Sequence, residues 1–402
     1  MSEIKKCRVC SGEKLIPVID LGKQPWANNF LSKEDVGTEE LYPLCVVFCE
    51  NCKAAQLNYT VSKETMFSDH TYLSGMTQTL SDHFKSLALY CDSNFRPNVG
   101  QKNVLDIGSN DGTQLKHYQD LGWTVLGVES SKGISQIAND SGIKTLNKFF
   151  NQDCLIEINK QFDVINASGV FFHLEELHSV TSAVKLSLKE NGVFVVQFLY
   201  IPSIFKNVAF DQIYHEHLLY YTLHSLSFLL GIHELEVFDA FLTEVHGGQM
   251  VALVGHKGSR EPTGRLKNLL AEENSSGCNK LEAYKDFANR LENLKEKNLA
   301  FLRGKHAEGK SIYGMGAPVK GNTLLNYFDV GPELIEFLVE KNELRQGLFS
   351  PGKNIPVVME SEITAHPDVY YVLAWNFKKE ILNKYDEQVE SGVEFYFPIM
   401  GD

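Results

Sequence analysis

The segment Phe210-Asp211-Gln212-Ile213-Tyr214-His215-Glu216-His217 crowds two imidazoles, two carboxyls and a phenol into one short stretch, followed by the aromatic run Leu219-Tyr220-Tyr221. Side chains of these types move protons near neutral pH. His215, His217 and Glu216 could instead ligate an ion, but His-Glu-His lacks the H-E-x-x-H spacing that brings two imidazoles to one helix face. Buried structural histidines are a further reading, and acid–base catalysis suits the residue types best. Downstream, His246-Gly247-Gly248-Gln249 leads into the apolar run Met250–Val254, where paired glycines let a ligand approach the backbone. A plain hairpin turn would look the same.

A second constellation is Val104-Leu105-Asp106-Ile107-Gly108-Ser109-Asn110-Asp111-Gly112, an apolar run that stops at small and turn-forming residues before a helical pattern resumes. It reads as strand, tight loop and helix start, where a glycine can take positive φ and helix N–H groups face a ligand. About twenty residues on, Thr124-Val125-Leu126-Gly127-Val128 ends in Glu129, the place of an acid that accepts hydrogen bonds from ribose hydroxyls. The G-x-G-x-x-G register that seats a pyrophosphate is not filled. Asp106 and Asp111 instead put carboxylates around the loop, which suits a ligand carrying an ammonium and a sulfonium. S-adenosylmethionine has those charges.

The third constellation is Cys7-x-x-Cys10 with Cys49-x-x-Cys52, two knuckles that can each turn a pair of thiolates toward one tetrahedral ion. Zinc in a closed structural site is expected. A redox pair is the rival, which a second knuckle disfavours. The intervening residues must form a small subdomain containing Pro25-Trp26 and Leu41-Tyr42-Pro43, with Cys45 a spare thiol.

These groups need a scaffold, and 402 residues with 43% hydrophobic residues allow two or three packed domains. A net charge of −13 disfavours a protein that holds nucleic acid by neutralising phosphates. No apolar run approaches a membrane span, and the N-terminus has no signal core, so a cytoplasmic chain is expected. Leu80, Phe84, Leu87 and Cys91 are spaced for one helix face. Helices around Gln114–Leu121 and Ile134–Ser141 then alternate with apolar runs at Phe162–Ala167 and Val193–Phe198, the last after a turn at Glu190-Asn191-Gly192. Such alternation means a parallel sheet, whose strand C-termini line a ligand crevice. Ser168, Gly169, His173 and Gln197 sit at those ends. Pro262 to Lys310 reads as a charged helical connector broken at Ser275-Ser276-Gly277. A fresh α/β unit opens with Ser311-Ile312-Tyr313-Gly314-Met315-Gly316-Ala317-Pro318, where a glycine-rich loop with Lys320 suits a diphosphate. Gly314-x-Gly316 hints at a second dinucleotide site, although position 319 is Val.

With these residues assembled, the chain resembles the S-adenosylmethionine-dependent C-methyltransferases that act on nucleotide-linked keto sugars. The resemblance runs from Cys7 nearly to the C-terminus. It rests on the two knuckles, Leu105-Asp-Ile-Gly-Ser-Asn-Asp-Gly-Thr113, Phe210-Asp-Gln-Ile-Tyr-His-Glu-His217, Gly314-Met-Gly-Ala-Pro-Val-Lys-Gly-Asn322 and Leu373-Ala-Trp-Asn-Phe377. It implies an α/β fold with a zinc-binding domain at 1–62, a Rossmann-like methyltransferase domain at 63–258, and a connector with a C-terminal Rossmann-like domain at 259–402. It further implies His217 as the base that removes a proton beside the sugar ketone, assisted by Tyr214, Glu216 and His173, with His215 nearby. Cofactor contacts are expected from Tyr72, Asp106, Gly108, Asn110, Asp111, Glu129 and Ser168, and sugar-nucleotide contacts from His246, Gln249, Gly316, Lys320 and Asn322. The expected partner is a small nucleotide-diphosphate keto sugar, with no nucleic acid and no membrane. A nicotinamide-dependent nucleotide-sugar oxidoreductase would share both α/β units but would need an intact glycine fingerprint.

Overall fold

Three main sheets organise the chain, and a computed structural model describes them over residues 2–67, 73–97 and 99–399. The first is a four-stranded antiparallel sheet of Leu15–Pro25, Leu41–Cys49, Ala55–Leu57 and Leu219–Tyr220. The last of these comes from far along the chain: Leu219 pairs with Gln56 and Tyr220 with Ala55. The His-Glu-His segment is therefore continued by a strand of the N-terminal sheet. The two knuckles are built alike. Ser11 N–H donates to the Cys7 carbonyl and Lys53 N–H to the Cys49 carbonyl, each at 2.9 Å. Ser11 and Lys53 both take positive φ to close these turns.

The central sheet has seven strands. Five are parallel, in the spatial order Thr145–Asn147, Thr124–Glu129, Asn103–Ile107, Phe162–Ser168 and Leu188–Leu199. The antiparallel pair Gln249–His256 and Leu235–Thr243 completes the edge. Chain order reverses between Asn103–Ile107 and Phe162–Ser168, so their C-terminal ends flank the crevice where open α/β sheets bind ligands. Helices Gln78–Phe95, Thr113–Asp120, Lys132–Asp140 and Leu177–Ser187 cover the sheet. Leu80, Phe84, Leu87 and Cys91 are buried, as their helical spacing requires. The expected turn at Glu190-Asn191-Gly192 is instead an irregularity inside the strand Leu188–Leu199, with the register shifting between Leu188 and Val193. Arg260 explains why the chain stays extended there, donating to the carbonyls of Asn191 and Gly192.

The C-terminal sheet is wholly parallel, in the order Val357–Met359, Leu338–Glu340, Ile312–Met315, Val369–Val372 and Glu394–Tyr396. Its glycines serve packing: a Cβ on Gly314 would lie 2.4 Å from the Leu338 side chain, and Gly316, at φ +82°, faces Ala374. The connector forms the helices Gly264–Ser276 and Leu281–Ala307, separated where Gly277 takes the left-handed conformation. Tyr284 of the longer helix packs at 5.0 Å on Phe48 of the first sheet and on Phe205 of the central unit. Among the described residues no helix is long and apolar enough to cross a membrane.

Candidate active site

The three-residue turn Phe210–Gln212 opens the proton-active segment, and a second turn, closed by the His217 N–H on the Tyr214 carbonyl, brings it to the strand Leu219–Tyr220. This fold returns His217 to Gln212, whose main-chain carbonyl meets His217 Nδ1 at 2.6 Å. A carbonyl can only accept, so Nδ1 carries the hydrogen. In the neutral ring Nε2 then holds the lone pair. His173 stacks on His217 at 5.1 Å and 15°, Tyr214 lies 3.8 Å away centroid to centroid, and Phe172 meets the ring edge-on at 4.8 Å. Two of the predicted residues, Tyr214 and His173, thus pack on the His217 imidazole, with Glu216 adjoining it in the chain.

Glu216 is buried and accepts a hydrogen bond of 2.7 Å from the indole of Trp26. Burial raises its carboxyl to about 7, with the indole N–H opposing the rise. His215 is turned differently. It is buried against the edge of Tyr42, and neither ring nitrogen has a hydrogen bond of good geometry among the described residues. Burial pushes it down to about 4, only partly offset by the nearby main chain of Tyr42 and Pro43. Such a ring is neutral at working pH and is part of the wall between the first sheet and the site.

The opposite flank belongs to the C-terminal unit. Asp211 is fully buried and accepts from the Trp375 indole at 2.6 Å, and Lys320 Nζ lies 3.8 Å from the same carboxylate oxygen and 4.3 Å above the Trp375 ring. Asn322 donates to the Ala27 carbonyl at 2.7 Å, so Trp26-Ala27 is wedged between the two flanks. The expected glycine-rich contact at His246–Gln249 is a hairpin turn, Val245–Gly247, between antiparallel strands. Gly247 has no room for a Cβ, which would stand 2.6 Å from Trp375. Gln249 takes part in a buried amide chain, accepting from Gln197, whose own oxygen meets His83 Nε2 at 2.8 Å. The side chain of His246 and the whole of Tyr72 lie outside the described residues.

At the cofactor crevice, Gly108 has φ +67°, and an added Cβ would strike Val170 at 2.9 Å. Asn110, also at positive φ, anchors the loop by accepting from Ser74 N–H at 2.8 Å. Asp111 is occupied locally, accepting from Gly75 N–H and from Thr113. Glu129 is held by the N–H groups of Asn110 and Ser131 at 3.0 and 2.8 Å. Burial raises the carboxyls of Asp106 and Glu129, and for Asp106 the neighbouring Glu129 adds to the rise. Neither has a basic ion-pair partner among the described residues, and the buried Ser168 hydroxyl has no hydrogen bond there. A cationic ligand with ribose hydroxyls fits that donor and acceptor set.

The four knuckle thiols form one cluster, with Sγ atoms within 4.8 Å of one another and the pairs Cys7–Cys52 and Cys10–Cys49 at 3.5 Å. Zinc–sulfur bonds of about 2.3 Å in a tetrahedron put sulfurs about 3.8 Å apart, so the set fits zinc. Cys45 is buried outside it. Gln56 donates to Cys7 Sγ at 3.0 Å and pairs through its backbone with Leu219, joining the thiolate site to the strand that follows His217. Sequence spacing indicated neither Gln56 nor Trp26, Gln212 and Trp375 as functional. Each acts across a gap in sequence that no local pattern encodes, save Gln212, whose role is a main-chain carbonyl.

Comparison with known proteins returns three families along the chain: a zinc binding domain at residues 7–67, a methyltransferase domain at 72–238 and a C-methyltransferase C-terminal domain at 244–399. The C-methyltransferase NovU of Streptomyces niveus is 32% identical over 98% of this chain and 96% of its own length. Among solved structures, the CcbJ methyltransferase from Streptomyces caelestis is 14% identical, covering 44% of this chain and 90% of its own, with a TM-score of 0.35. An S-adenosylmethionine-dependent methyltransferase from Clostridium acetobutylicum is 17% identical, covering 44% of this chain and 91% of its own, at the same TM-score.

Proposed function

The chain belongs to the C-methyltransferase family, and from that premise we propose that it methylates a ring carbon beside the ketone of a nucleotide-diphosphate-linked keto sugar, in deoxysugar biosynthesis, through an enolate raised by His217. S-adenosylmethionine is its methyl donor and zinc its structural ion. The nicotinamide oxidoreductase reading is set aside, since every matched family is a methyltransferase family or its zinc domain.

The observation that carries the proposal is the 2.6 Å bond between His217 Nδ1 and the Gln212 carbonyl. It leaves Nε2 as the basic nitrogen of a ring packed against Tyr214, and a neutral imidazole is the side chain best suited to removing an activated carbon-bound proton. Nε2 accepts that proton. The Tyr214 hydroxyl donates toward the developing enolate oxygen, as charge that appears only in the transition state requires. The bound donor supplies an electrophilic methyl on a sulfonium, which needs in-line placement of the carbon more than further chemical groups. Glu216, with its carboxyl near 7, stabilises the protonated His217 by its position on the adjoining residue, and His173 braces the ring by stacking. We assign Asp106, Gly108, Asn110, Glu129 and Ser168 to the cofactor and Gly316, Lys320, Asn322 and Gln249 to the sugar nucleotide. The direct test is incubation with S-adenosylmethionine and a panel of nucleotide keto sugars, read by mass spectrometry. A gain of one methyl on a keto sugar supports the reading, and methylation confined to oxygen or to non-sugar acceptors contradicts it.

A further inference from the structure

Asp211 is a fully buried carboxyl that the proposed chemistry leaves without a task, one residue before the carbonyl that orients His217. We infer that Asp211 is a positioning residue, through which Lys320 and Trp375 of the C-terminal domain hold the Gln212 carbonyl on His217 Nδ1 and so keep the basic nitrogen at Nε2. The inference rests on His217 being the base.

The geometry is consistent from both sides. Asp211 and Gln212 share a three-residue turn closed by the Ile213 N–H on the Phe210 carbonyl at 2.8 Å. Movement of one side chain in so short a turn must move the next peptide. Phe210 fixes one face of the turn by packing at 5.2 Å on both Tyr327 and Phe328 of the C-terminal helix Val319–Phe328. Asp211 fixes the other through its 2.6 Å bond from the Trp375 indole and the Lys320 ammonium at 3.8 Å. Trp375 is itself immobilised, with Lys320 over one part of its ring and Gly247 of the central hairpin pressed against another. Burying a carboxylate and an ammonium costs more than their attraction returns unless the geometry is tight. Here Asp211 Oδ1 even lacks a hydrogen-bond partner among the described residues. An apolar pair would join the domains at lower cost. A charged pair placed beside the carbonyl that sets a tautomer does something an apolar pair cannot, because it fixes the direction of that carbonyl.

The test compares Asp211→Asn, Trp375→Phe and His217→Asn in the full-length zinc-loaded protein. Exchange of the sugar's α-hydrogen with deuterated solvent is followed with S-adenosylhomocysteine bound, alongside ring ¹⁵N signals of His217, S-adenosylmethionine affinity and thermal unfolding. Displacing a reacting group by about 1 Å costs roughly 100-fold, so Asp211→Asn is expected to slow exchange about 100-fold while cofactor affinity holds, with the His217 signals shifting from a single Nδ1–H tautomer to a mixture. Trp375→Phe, which keeps a ring beneath Lys320, should move both readouts the same way and covers the case of Asp211→Asn failing to fold. Wild-type exchange and an unchanged tautomer in folded Asp211→Asn or Trp375→Phe, with exchange abolished in His217→Asn, overturn the inference alone. Wild-type exchange in His217→Asn overturns the base assignment and this inference with it.

Discussion

The two ends of the segment from Phe210 to Tyr220 are gripped by different domains and by different kinds of force. The front end, Phe210–Gln212, is held by the C-terminal unit through an aromatic cluster and a buried Asp211–Lys320–Trp375 contact. The back end, Glu216–Tyr220, is held by the N-terminal unit through the Trp26 indole and through backbone pairing of Leu219 and Tyr220 with Gln56 and Ala55. The front grip depends on charge in a dry site, whereas the back grip depends on a small sheet that its thiolate cluster must hold together. His217 lies in the back end and reaches across to the front end through the Gln212 carbonyl. The zinc domain thereby supports the site from a distance in sequence: the strand pairing next to its thiolate cluster is continuous with His217, the proposed base.

Removing the zinc should break the back grip outright. The protein should contain about one zinc per chain, and Cys49→Ser should unfold the N-terminal sheet and abolish methyl transfer, since structural zinc contributes folding energy directly. Metal analysis with circular dichroism and a transfer assay would check this, and full activity in demonstrably metal-free protein would disprove the grip. Next in size is a change that touches neither grip. Glu129→Ala should weaken S-adenosylmethionine by roughly 10- to 100-fold, the loss of hydrogen bonds to a charged group worth about 1.5–3 kcal/mol, measured by calorimetry; Asp211→Asn and Trp26→Phe should leave that affinity alone.

A subtler change at the back end is Trp26→Phe, which deletes the indole N–H that favours the charged form of Glu216. Its carboxyl, already raised to about 7, must rise further because the remaining influence is burial. The acidic limb of kcat/KM should then move to higher pH by about one unit, with a loss of about fivefold at pH 7. An unmoved limb would place Glu216 outside the rate profile. The smallest effect on rate belongs to His215→Leu, whose readout is stability. The folded ring is held down to about 4 by burial, below the ordinary value near 6.5, so between those values the unfolded chain takes up a proton that the folded one refuses. Stability therefore holds above pH 6.5 and falls as the pH drops toward 4, by up to about 3 kcal/mol. Denaturant titrations across that window should lose this slope in His215→Leu.

Much of this architecture could be read from residue order. Leu80, Phe84, Leu87 and Cys91 announced their helix by spacing, and the knuckle cysteines announced their cluster because C-x-x-C leaves a thiolate pair few other arrangements. Gly108 and Glu129 came from the rule that strand ends bind ligands. The turn expected at Glu190-Asn191-Gly192 failed because Arg260, distant in sequence, holds two carbonyls that local propensity would have turned away. The grips on His217 were invisible for the same reason. Trp26 and Glu216 are 190 positions apart, Asp211 and Trp375 164. Lys320 looked like a phosphate ligand from its glycine-rich setting, and only the folded chain reveals that its ammonium also faces Asp211.

The proposed role of His217 as the base is isolated from methyl transfer by proton exchange. With S-adenosylhomocysteine in the cofactor site, no methyl can move, and NMR in deuterated solvent follows loss of the hydrogen beside the sugar ketone. Wild-type protein should catalyse the exchange, while His217→Asn should retain both ligands and slow it by roughly 10²- to 10⁴-fold, the usual contribution of a positioned base. Undiminished exchange in a folded, ligand-bound His217→Asn protein would contradict the assignment of His217 and move the base to another residue.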